Sequence, residues 1–97
     1  MIQEIHTIED VEVFMRDLAK EGVNAHPDEL FENYVNIKTN EPTFSAEDAT
    51  LRNSLMERSF VICKDAGIDI YDFMQEIFLK ETGLDKYIPL PSSVRGI

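Results

Sequence analysis

Apolar residues recur at helical spacing over most of the chain, and the densest run lies between Ser45 and Gly83. At the ~100° per residue of a helix, Leu51, Leu55, Ile62 and Ala66 form one stripe. Ala49, Met56, Phe60 and Cys63 form a second stripe beside it. Together they cover close to half of the circumference, which predicts a helix over 46–66 that touches several neighbours and forms the centre of the domain. Ser45 suits the N-cap, Asp48 holds the capping-box position, and Gly67 suits the left-handed residue that ends the helix. Asp69 then caps a helix over 70–82, with Ile68 and Phe73 at hydrophobic-staple spacing and Gly83 as its stop. Ile70, Phe73, Met74, Ile77 and Phe78 share its apolar face. The Gly-Ile-Asp link is too short for anything but a hairpin or a sharp corner.

The first half reads in the same way. Thr7 caps a helix over 8–21 whose apolar face is Ile8, Val11, Phe14, Met15, Leu18 and Ala19. Met1–His6 reads as a frayed lead-in. Pro27 fits a first helical position, and Asp28 and Glu29 complement the positive end of the helix dipole. Leu30, Phe31, Tyr34 and Val35 then predict a short helix over 27–36. Residues 37–44 have loop composition, with Phe44 as the anchor. The expected fold class is all-α: one domain over 1–97, with four helices in two helical hairpins. An extended, proline-containing segment over 84–97 closes it, partly docked, and carries Tyr87, Ile88 and Leu90 to the core or to a partner.

Composition narrows the function more than the fold. The chain carries a net charge of −10, and the charge is uneven. Residues 1–48 hold twelve acids against Arg16, Lys20 and Lys38, whereas residues 49–97 are nearly balanced. An acidic half repels nucleic acid and anionic membrane and favours a basic partner. No apolar run reaches membrane-spanning length, and Met1–Glu12 lacks the basic start and apolar block of a signal peptide. A cytoplasmic protein without membrane contact is the expectation. Cys63 is the single cysteine and falls on an apolar face, as an inert buried thiol would.

Candidate chemistry is sparse. The corner at Gly67 resembles a helix-turn-helix in spacing, but its second helix would offer Asp69, Asp72, Gln75 and Glu76 to phosphates, with Lys80 the one base. Direct nucleic-acid binding is therefore not expected. His26, Asp28 and Glu29 sit where a helix start accounts for their charge, so no metal is expected. His6 and Cys63 lack an activating neighbourhood, and no phosphate loop or nucleophile elbow occurs. No catalysis and no cofactor are expected. Asp48 and Arg52 fall inside the apolar arc of the 46–66 helix, one turn apart, as a rim ion pair or a polar pair at an interface. Val13, Val61 and Leu79 fall on the polar faces of three helices and are candidates for a self-association surface in a homodimer. The expected function is a small acidic interaction module for a basic partner. The alternatives are an inhibitor that imitates nucleic acid on a DNA-binding protein, and a small-molecule binder with an inter-helix pocket.

Overall fold

The computed structural model describes residues 1–86. Among them stand three α-helices: α1 (Ile8–Lys20), α2 (Ala46–Asp65) and α3 (Ile70–Thr82). Short 3-10 turns occur at Phe31–Asn33 and Leu84–Lys86, and a lone antiparallel bridge joins Val35 to Pro42. None of these helices is long and apolar enough to cross a membrane.

Local caps explain the helix ends. The Thr7 hydroxyl accepts from the Asp10 N–H, and the Asp10 carboxylate accepts from the Thr7 and His6 N–H groups, a full capping box. Ser45 and Asp69 cap α2 and α3. At the corner, Gly67 takes φ 69° while its N–H and that of Ile68 return to the carbonyls of Lys64 and Cys63. This is a Schellman ending, and a side chain at Gly67 would be strained by that φ.

The all-α class stands, but the helix expected over 27–36 does not form. Leu30 is extended at φ −79° and ψ 137°, and a single 3-10 turn follows before Tyr34 extends again. Leu30, Phe31, Tyr34 and Val35 span little more than one turn, too little to offset helix nucleation. Tertiary partners then claim the backbone: the Phe31 N–H donates to Asn53 Oδ1 of α2 at 2.9 Å. Asn36 turns its side chain onto the Lys38 and Thr39 N–H groups, which suits a turn and not a helix. The first of the two expected hairpins is thus a helix followed by a long shaped loop. A short link joins α2 to α3, and α3 packs more extensively on α1 than on α2.

The centre of the core also shifts. Val11, Phe14, Met15 and Leu18 of α1 are fully buried, and α1 packs most extensively on α3. On α2, Leu51, Phe60 and Ile62 are half-buried and Ala66 is exposed. Its buried stripe is Ala49, Arg52, Leu55, Met56, Ser59 and Cys63. Arg52 and Ser59 lie seven residues apart, on the midline of that stripe, between the two apolar stripes. The Ser59 hydroxyl donates to the Leu55 carbonyl at 2.7 Å.

The lead-in is tied down. Ile5 is buried, and the Arg58 Nε–H donates to its carbonyl at 3.1 Å. Arg16 of α1 reaches Glu81 of α3 at 3.2 Å and also pairs with Glu12. The segment expected to extend from 84 opens with the 3-10 turn at Leu84–Lys86, where three consecutive residues without proline can tighten the chain after Gly83.

The capping box carries a pH dependence. Hydrogen bonds from the His6 N–H first, then from Thr7, hold the Asp10 carboxyl below the usual carboxylate range against a smaller opposing effect of burial. Its stabilising contribution is complete above the unfolded-state pKa and is lost as pH falls through the lowered one. Urea unfolding of Asp10→Asn should therefore show a deficit against wild type at neutral pH that shrinks in acid.

Candidate functional site

Arg52 is the buried charge around which the surface of interest is arranged. It is 7% exposed. Its Nη2 lies 2.6 Å from Glu21 Oε2 and its Nε 3.4 Å from Oε1, a two-pronged contact with the residue that caps the end of α1. Nη1 donates to the Asp48 carbonyl at 3.0 Å, while the Asp48 carboxylate is a marginal 4.0 Å away and largely exposed. The guanidinium carbon stands 4.5 Å from the centre of the Phe44 ring, in cation–π geometry. So Asp48 and Arg52 do meet, but the strong partner is Glu21, 31 positions away, which sequence spacing does not indicate.

Phe44 belongs to an aromatic clamp. Phe31, Tyr34 and Phe44 lie with ring centres 5.5 to 6.5 Å apart, with Phe31 fully buried. The Tyr34 hydroxyl accepts from the His26 N–H at 2.9 Å, and burial raises its pKa. Asn53 of α2 accepts from the Phe31 N–H and donates to Glu32 at 2.7 Å.

From this clamp a narrow loop projects. The Thr43 N–H returns to the Tyr34 carbonyl at 2.9 Å and the Asn36 N–H to that of Glu41 at 2.8 Å. The Asn40 N–H closes onto the Asn36 carbonyl at 2.7 Å. Asn40 takes φ 58°, a left-handed conformation that asparagine tolerates. At the tip Ile37 is 98% exposed, and Val35 at the base of the loop is about half exposed. Over residues 28–48 six acids accompany Lys38 as the single base. The result is an aliphatic tip on an acidic ground.

A groove of 360 Å³ runs between residues 24–27 and one side of α3. Met74, Phe78, Leu79 and Leu84 make it largely apolar, with Tyr71, Gln75 and Thr82 at its edge. The Tyr71 hydroxyl donates to Asp28 at 2.7 Å, and that bond to a carboxylate is the main cause of its raised pKa. Beyond Pro27 a second depression of 290 Å³ is bordered by Asp28, Glu29, Glu32 and Glu57.

The other residues singled out in the sequence differ in exposure. Val13 and Val61 are exposed, and Val61 borders a shallow surface formed with Ser54, Glu57 and Arg58. Leu79 is not on an open polar face: it is 8% exposed, because residues 24–27 and Leu84 flank that side of α3. Tyr87, Ile88 and Leu90 lie outside the described residues. Among the described residues no three metal-ligating side chains gather, and His26 stands 4.0 Å from Asp28. His6 is exposed against Glu4, while Cys63 is buried with its thiol pKa raised by burial. Lys80 pairs with Glu76 at 3.0 Å.

Three outcomes follow from this geometry. Arg52→Ala leaves the Glu21 carboxylate without its partner and Phe44 without its cation, and should cost about 2–4 kcal/mol in urea unfolding. A double-mutant cycle with Glu21→Gln should return a coupling of about 1 kcal/mol or more. Cys63 should react with a disulfide reagent only as fast as the fold opens, so its rate in native buffer should rise steeply with urea. Comparison of the chain with protein-family models, with curated proteins and with solved structures finds no match to any of them.

Proposed function

We propose that this chain is a non-catalytic interaction module whose acidic half engages a basic partner surface, with Ile37 as the apolar anchor. The observation that carries the reading is the state of Ile37, 98% exposed on a loop closed by its own hydrogen bonds. Folding gains nothing from an isoleucine there. Burying it against a partner is worth roughly 1.5–3 kcal/mol. The loop is already shaped, so little ordering entropy opposes that gain. The surrounding acids speed encounter with a basic surface and make it sensitive to salt.

The test compares wild type and Ile37→Ser as bait in extracts of the source cells. The variant should keep the wild-type melting temperature, because the side chain is in solvent. Wild type should retain a basic protein that raised salt elutes, and Ile37→Ser should weaken that capture by roughly tenfold or more. Identical capture by both baits would overturn the reading.

A further inference from the structure

We propose that the groove along α3 receives a short apolar segment of the partner, with lysine or arginine flanking it on the Tyr71 side. The inference rests on the reading of a basic partner and adds where, and in which direction, that partner is held. The groove follows α3 from Tyr71 to Thr82, a rise of about 16 Å at 1.5 Å per residue. Its volume of 360 Å³ is near the lower end of ligand clefts, roughly 300–1,000 Å³. That is room for a few side chains and not for a whole helix. Tyr71 is 43% exposed and Leu84 46%, so aromatic and aliphatic surface stands open at both ends.

Charge selects the occupant. At the Tyr71 end the groove meets Pro27, which also borders the depression containing Asp28, Glu29, Glu32 and Glu57. Among the described residues none of these four carboxylates has a lysine or arginine partner. Three of them accept instead from Tyr71, Asn33 and Asn53, which are neutral donors that leave the charge in place. These carboxylates favour a segment that carries its cations on the Tyr71 side of its apolar residues. A second copy of this chain would bring the same acidic excess to the same end. A neutral apolar compound would draw nothing from the carboxylates.

The experiment titrates the full chain, isotope-labelled, with the synthetic peptide Lys-Lys-Leu-Ala-Leu-Leu. The controls are Glu-Glu-Leu-Ala-Leu-Leu and Lys-Lys-Ser-Ala-Ser-Ser. The basic apolar peptide should shift the resonances of Met74, Phe78, Leu79 and Leu84, and each control should bind about tenfold more weakly or worse. Leu84→Ser, at an exposed position, and Asp28→Asn, which keeps the acceptor for Tyr71, should each weaken the peptide about threefold or more without changing the melting temperature. Equal binding of all three peptides would overturn the proposal, as would shifts confined to residues outside the groove. So would tighter binding of dodecyltrimethylammonium than of the peptide, which marks a small-molecule site. Contacts from residues 87–90 to Met74 or Phe78 in the free chain, or shifts at these residues with protein concentration alone, would assign the groove to the chain itself or to a second copy. Failure here leaves the Ile37 comparison intact, and failure of that comparison leaves the peptide titration intact, so the two readings fall separately.

Discussion

A guanidinium removed from water must be matched on every side, and Arg52 meets that demand by drawing three separate segments together. Glu21 ends α1, the Asp48 carbonyl lies in the first turn of α2, and Phe44 closes the loop between them. The guanidinium also sits where an α1 C-terminus favours positive charge and would otherwise carry the carboxylate of Glu21 unopposed. An apolar residue in its place would fill space without saying where the loop must lie. The contact holds the end of α1, the first turn of α2 and Phe44 against one another.

The aromatic clamp extends that positioning outward. Phe31, Tyr34 and Phe44 rest against the stripe on α2, and the loop backbone leaves the clamp already paired. The exposed isoleucine is therefore a feature of an ordered surface. The groove along α3 arises differently: it is the gap left where residues 24–27 meet a helix already committed to α1 on its other side. The acidic depression at Pro27 connects the two regions, since Leu30 and Glu32 border it and also lead into the loop.

Much of the helical frame was legible in the sequence, because its signals are local. Thr7, Ser45 and Asp69 as caps, and Gly67 and Gly83 as stops, mark the ends of α1, α2 and α3 within a residue or so. The helix expected over 27–36 does not form because its cues, Pro27 and two acids, act over a few residues while Asn53 competes from a different element. Arg52 was legible as an oddity, a cation within an apolar arc, but its partner Glu21 was not, since distance along the chain carries no sign of contact in space. A charge on the midline of a buried stripe is itself the useful signal, and it directs attention to acids at neighbouring helix ends. Leu79 shows the converse: a residue assigned to solvent by periodicity is covered when an irregular segment folds over it.

The tip of the loop is closed by its own backbone, by Asn36 and by the Thr39 hydroxyl, which accepts from the Glu41 N–H, while Ile37 and Lys38 are exposed and lend no side chain to that closure. Recognition and folding are thereby written in different residues. Descendants of this chain are free to trade the side chains at those positions for new binding preferences while inheriting the same scaffold unchanged.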